Sequence, residues 1–175
     1  MKRTPVHPIN PYIRNGLVAD IYLNLVRSGN FRWLRRILDH ILCTQIGGSL
    51  PERLHIPHPY GVFSGPTCKI GEDVTLMQFS LLGPKDPWYQ GDTWENLYPT
   101  LEEGVYISPG AKVLGPVRIG AWTVIGANAV VTEDIPAFAT VIGMNRILRV
   151  VEGGPPPVKK YLESRKAKEA RPAVV

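Results

Sequence analysis

The sequence predicts a mainly β protein: a solenoid of short strands stacked coil on coil, preceded by a short α-helical segment. Three observations carry this reading. Stepping by six from Leu101 gives Leu101, Ile107, Val113, Ile119, Ile125 and Val131, all branched aliphatic residues. Stepping by six from Val105 gives Val105, Ala111, Val117, Thr123, Ala129 and Ile135, which are small or β-branched. An α-helix repeats at about 3.6 residues and a strand at about two, so neither element has this period. Short strands joined by turns do, if each hexad buries one aliphatic and one small side chain against the next coil. The third observation is a switch to helical spacing near the N-terminus.

That N-terminal segment, residues 1–45, reads as two helices. Leu17, Ile21 and Leu25, then Trp33/Leu34, Ile37/Leu38 and Ile41/Leu42, recur at helical spacing, and "RSGN" (27–30) breaks the run. Arg32, Arg35, Arg36 and Asp39 stand off the second stripe. A basic amphipathic helix of this kind suits weak peripheral membrane contact as well as packing on the body or on another subunit.

The solenoid spans residues 46–150. Its frame runs backwards through Leu82, Leu76 and Ile70, with Ser80 and Val74 in the small slot. Continued further, the aliphatic slot falls on Ser64, His58 and Glu52, and the small slot on Cys68, Val62 and Ile56. A histidine in a slot that elsewhere holds an aliphatic is a local breach of a consistent pattern, where function is expected. A loop over residues 83–99, "GPKDPWYQGDTWENLYP", interrupts the hexads. Residues 151–175 form a basic C-terminal tail: the linker "GGPPP" (153–157), then a short helix or a disordered stretch.

Composition bounds the function. With 175 residues, 44% of them hydrophobic, the chain makes one modest domain. No stretch approaches the roughly 18 apolar residues of a membrane span, and no secretory pattern opens the chain, so a cytoplasmic protein is expected. Cys43 and Cys68 make neither a disulfide framework nor a ligand pair. Residues 1–50 carry seven basic and two acidic groups, residues 51–150 seven and ten, and residues 151–175 six and three. No nucleic-acid motif accompanies the basic ends, so no nucleic acid partner is expected.

"CKIGEDVTLMQFSLLG" and "EGVYISPGAKVLGPVRIGAWTVIGANAVVTEDIPAFATVIG", with the single loop between them, resemble the hexapeptide-repeat acetyltransferases. The serine acetyltransferase branch and its sugar-modifying relatives come nearest. The resemblance implies a left-handed parallel β-helix of about eighteen residues per coil, assembled as a homotrimer with acetyl-CoA in a groove between subunits. It implies an acyltransferase that moves acetyl from acetyl-CoA to a hydroxyl, or to an amine.

In that pattern the histidine of "HPYGVFSG", His58, is the general base. Imidazole titrates near neutrality, so it can take the acceptor's proton and return it to the leaving thiolate. A backbone N–H near Gly83 would hold the oxyanion. The pantetheine positions map to Pro109, Gly110, Gly126 and Ala127, and the phosphates to Arg146 of "GMNR" (143–146) and to the basic tail. Pro109 has no N–H, so only its carbonyl could serve. His7, His40 and His55 have no such positional support. One repeat-phase histidine is too few for a metal site, so none is expected.

The departures bear on the acceptor. Where serine acetyltransferases carry an aspartate before the base, this chain has Pro57. Leu97 and Tyr98 stand for their arginine–histidine pair, and Cys43 for the aspartate that orients the base. Glu52, Asp92 and Glu95 remain as candidate orienting carboxylates. Free serine needs countercharges, and the loop offers aromatic and polar groups suited to a sugar: Trp88, Asp92, Trp94, Glu95 and Tyr98. The expectation is therefore an O-acetyltransferase on a sugar or glycan precursor of cell-surface polysaccharide. Serine O-acetylation in cysteine biosynthesis is the alternative, and a non-catalytic solenoid scaffold is the alternative of another class.

Overall fold

A computed structural model of the protein describes residues 2–86 and 97–169. Trp88, Asp92, Trp94 and Glu95 lie outside the described residues. The body is a three-faced parallel β-helix. Face one holds β1 (Gln45–Ile46), β2 (Phe63–Ser64), β5 (Leu81–Gly83), β8 (Lys112–Leu114) and β11 (Val130–Val131). Face two holds β3 (Lys69–Ile70), β6 (Thr100–Leu101) and β9 (Arg118–Ile119). Face three holds β4 (Thr75–Leu76), β7 (Tyr106–Ile107), β10 (Val124–Ile125), β12 (Ala139–Ile142) and an antiparallel edge strand, β13 (Arg146–Val150).

The hexad explains this directly. Ile107 lies beside Leu76 and Ile125, and Val113 beside Leu82 and Val131, all of them buried on the axis. The small slot (Val74, Val105, Ala111, Ala129) is buried two residues earlier. Each coil covers the apolar face of the next, so the core is one continuous column.

The first coil departs from the extrapolated frame. Ile46 pairs with Ser64, an interval of eighteen. Between them, the bridges Ser49–Lys69 and His55–Thr75 come at an interval of twenty. They bring Leu50 beside Ile70 and Ile56 beside Leu76, so the axial slots are filled by Leu50 and Ile56, not by Glu52 and His58. Ile56 is fully buried and His58 is exposed. The coil keeps its length but takes two residues out of its first corner and puts them into its last. The apparent breach at His58 is thus a widened corner, and the imidazole stands outside the core.

The helices close the open end of the solenoid. In α1 (Leu17–Ser28) and α2 (Arg32–Leu42), Tyr22, Leu23 and Leu42 join the core. The break falls where Gly29 (φ 65°) and Phe31 (φ 51°) turn left-handed. Backbone groups that have no preceding coil are met by side chains. Asn15 bridges Leu54 O and Ile56 N, Tyr22 Oη accepts from Ile46 N at 3.3 Å, and Arg35 donates to Ile46 O at 3.1 Å.

The corner between faces two and three is clasped from both chain ends. His55 is fully buried with Nε2 3.4 Å from Asp73, itself held by Arg53 at 2.9 and 3.1 Å. His7 packs edge-on against His55 at 5.0 Å between centroids, and its Nδ1 accepts the N–H groups of Ile9 and Asn10. After "GGPPP" the chain forms α3 (Pro156–Glu169), which lays Tyr161 against Trp122 at 5.4 Å and pairs Arg165 with Glu103. Among the described residues no helix is long and apolar enough to cross a membrane.

Two outcomes test this account. Ile56→Ala should cost about 2–5 kcal/mol in chemical denaturation, as for a filled core slot. His58→Ala should stay within about 0.5 kcal/mol; the reverse ranking would restore the extrapolated frame. Burial, and then the neighbouring His55, push His7 from its ordinary 6.5 down to about 4. The folded state therefore binds fewer protons than the unfolded state between those values, so this stabilisation is full above pH 6.5 and is lost on acidification towards 4. Thermal melts of His7→Gln against the unmodified protein across that window should diverge; parallel profiles would contradict it.

Candidate active site

The β-helix has three corner columns, and the candidate residues divide between two of them. The column between faces three and one carries His58. It is built from left-handed residues at equivalent places: Gly61 (φ 64°), Phe79 (φ 60°), Gly110 (φ 71°) and Asn128 (φ 56°). Backbone hydrogen bonds tie successive coils. Phe79 N donates to Tyr60 O at 2.9 Å, Gly110 N to Gln78 O at 3.0 Å, and Asn128 N to Pro109 O at 3.0 Å. His58 and four cofactor candidates, Pro109, Gly110, Gly126 and Ala127, therefore share one side of the molecule. Arg146 opens β13 just after the same column's last corner, Gly143 to Asn145, and is exposed.

Glycine is required at 61 because a Cβ there would come 2.4 Å from the Phe79 ring. That ring lies over the His58 turn, and His58, Tyr60, Gln78 and Phe79 line a pocket of 230 Å³. The turn is pinned from below: Thr44 Oγ1 donates to Pro59 O at 2.8 Å and accepts from Val62 N at 3.1 Å. The imidazole has no hydrogen-bond partner among the described residues. Of the carboxylates considered as its orienter, Glu52 pairs with Lys2 instead, and Asp92 and Glu95 lie outside the described residues. Tyr60, Gln78 and Phe79 were not singled out from the sequence; Phe79 and Gln78 could have been, since Phe79 stands eighteen residues after Gly61 in the same corner.

Gly83 and Tyr98 belong to the next column, between faces one and two. Gly83 ends β5 opposite Leu114, and its carbonyl accepts from Gly115 N at 2.9 Å. Tyr98 lays its ring on Gly65, where a Cβ would come 1.7 Å from it, and packs on the core. β5 ends at Gly83, and β6, the next strand among the described residues, begins at Thr100. Within one copy, neither residue lines the pocket beside His58.

Cys43, at the C-terminus of α2, is exposed, and its Sγ contacts His40 O at 3.7 Å. Beside it Arg36, Asp39, His40, Thr44, Gln45 and Phe63 line an opening of 430 Å³. His7 and His55 are structural, as described above. Among the described residues no group of three His, Cys, Asp or Glu could hold a metal.

Comparison with known proteins bears on this arrangement. Residues 98–133 match the family model "Bacterial transferase hexapeptide (six repeats)". Serine acetyltransferase from Bacillus subtilis (strain 168) is 39% identical over 98 residues, covering 56% of this chain and 43% of that protein. The chain thus spans less than half the length of this curated relative. Among solved structures, serine acetyltransferase from Brucella abortus strain S19 in complex with coenzyme A superposes with a TM-score of 0.62 at 26% identity. The alignment covers 75% of this chain and 53% of that one. The Neisseria gonorrhoeae serine acetyltransferase in complex with serine gives a TM-score of 0.57 at 27% identity, covering 70% of this chain and 50% of that one.

These relatives overturn the expectation of a sugar or glycan acceptor, and with it the assignment to polysaccharide biosynthesis. That expectation rested on missing charges at Cys43, Pro57, Leu97 and Tyr98. An absence at chosen positions does not exclude countercharges elsewhere, and the opening lined by Arg36, Asp39 and His40 presents both signs close to the Thr44–Pro59 bond. Residues 98–133 thus carry the hexapeptide repeat, and serine acetyltransferases are among the homologues of the chain.

Proposed function

We propose that the protein transfers acetyl from acetyl-CoA to the hydroxyl of serine, with His58 as general base. The observation that carries this is the corner column. It sets an exposed imidazole, unpartnered among the described residues, in line with the left-handed turns at Pro109–Gly110 and Ala127–Asn128, where an extended pantetheine arm could lie. The relatives' names supply the acceptor.

The chemistry needs few groups. As the serine oxygen attacks the thioester carbonyl, the imidazole takes its proton. The tetrahedral intermediate then collapses with cleavage of the C–S bond, and the imidazolium returns the proton to the departing thiolate. A neutral imidazole suits both halves near pH 7. The phosphates of acetyl-CoA would lie towards Arg146, and Pro109 would contribute only its carbonyl, which already accepts from Asn128.

The division of candidates between two columns favours a site completed by a second copy. In a homotrimer with the groove between subunits, the His58 column of one copy would face the Gly83 and Tyr98 column of its neighbour. An oxyanion donor near Gly83, and Tyr98 against the acceptor, then act in trans.

His58→Ala should lower kcat/KM for L-serine and acetyl-CoA by about 10²–10⁴-fold in a thiol-release assay, with its melting temperature unchanged. Unaltered turnover in this variant would remove His58 as the base. Acetyl-CoA turnover by the unmodified protein with no dependence on serine would remove serine as the acceptor.

A further inference from the structure

Helix α2 carries more apolar surface than its packing uses. Leu34, Leu38 and Leu42, four residues apart, face the body: Leu42 is buried and Leu38 packs on the core. One residue back, and so about 100° around the helix, runs a second stripe, Trp33, Ile37 and Ile41. These are 64, 46 and 69% exposed, and Phe31 at the helix entry is 64% exposed. A third stripe, Arg32, Arg36 and His40, lies directly beside the second and is also exposed. Single exposed apolar residues are ordinary on a protein surface, but three along one helix face, with a fourth at the helix entry, make a patch.

We propose that this face of α2 docks on an anionic phospholipid bilayer. The pairing of stripes specifies that occupant. An apolar row bearing Trp33 and Phe31 suits the boundary of the acyl region, where an indole keeps its N–H in the headgroups. The parallel cationic row places Arg32 and Arg36 at headgroup level, with their stems along the apolar surface. A second copy of α2 fits less well, because an isologous contact sets like charges facing one another. The one acid in the helix, Asp39, hydrogen-bonds Tyr22 and pairs with Arg35, so Arg32, Arg36 and His40 leave the helix with an excess of positive charge. The row is short, so the contact is weak and depends on both terms. Arg36 and His40 also line the opening beside Cys43, but Trp33, Ile37 and Arg32 do not, so variants at these three residues test the docking face separately from the proposed acetyl transfer.

Cosedimentation of the full chain with vesicles of phosphatidylcholine and phosphatidylglycerol, against phosphatidylcholine alone, tests it. Binding at low salt should be at least about tenfold tighter to the anionic vesicles and should fall steeply as salt shortens the screening length. Trp33→Ser with Ile37→Ser should lose about tenfold in that binding with the melting temperature retained, and Arg32→Glu should reduce it further. Brominated lipids should quench Trp33 fluorescence, read as the difference between the unmodified protein and Trp33→Phe. Equal binding to both vesicles, binding to neither, or unchanged binding by the double variant would overturn the proposal. A change in oligomeric state caused by Trp33→Ser with Ile37→Ser would overturn it too, by assigning the face to another copy.

Discussion

The structure depends on one alignment: an aliphatic side chain lying beside its counterpart one coil further on. No coil could bury its inner face alone, and each is stable because the next one covers it. This fixes the strands β1 to β11 at two or three residues and leaves three columns of corners. It also leaves the corners free to vary in length, provided the axial residues return to register. The first coil uses that freedom. Between Ile46 and Ser64 it shortens one corner and lengthens another, and the lengthened corner carries His58.

The three columns have become different surfaces. The column at His58 is a line of left-handed turns tied by backbone hydrogen bonds, with the Phe79 ring laid over Gly61. The column at Gly83 is where Tyr98 returns the chain to the repeat. The column at Asp73 is closed by His7 and His55 from one direction and by Trp122, Tyr161 and Arg165 from the other. A buried carboxylate needs partners, and Arg53 and His55 supply them within the first two coils. The clasp therefore places His7 and helix α3 on this column and not on the one proposed for catalysis.

Much of this was legible in the sequence, for a physical reason. The hexad is set by stacking, and stacking acts on every coil alike, so Leu101 to Val131 announce it without help. The redistribution in the first coil was not legible. Taking two residues from one corner and adding two to another leaves Ile46 and Ser64 in step from either direction, so counting by six placed His58 in the core. The proposal of His58 as the base therefore rests on its place in a corner, not on the slot first assigned to it. The clasp was equally hidden, since His7 and Asp73 meet only in three dimensions. The acceptor was misread because missing charges at Pro57, Leu97 and Tyr98 were weighed as though no other group could replace them.

The central claim is that the column from His58 through Gln78, Pro109–Gly110 and Ala127–Asn128 is the acyl-donor track. A crystal structure of the protein with coenzyme A tests it most directly. The account predicts the pantetheine arm along that column, with its sulfur within hydrogen-bond reach of the His58 imidazole. Coenzyme A bound along the Asp73 column, or with its thiol remote from His58 of every copy in the assembly, would contradict it.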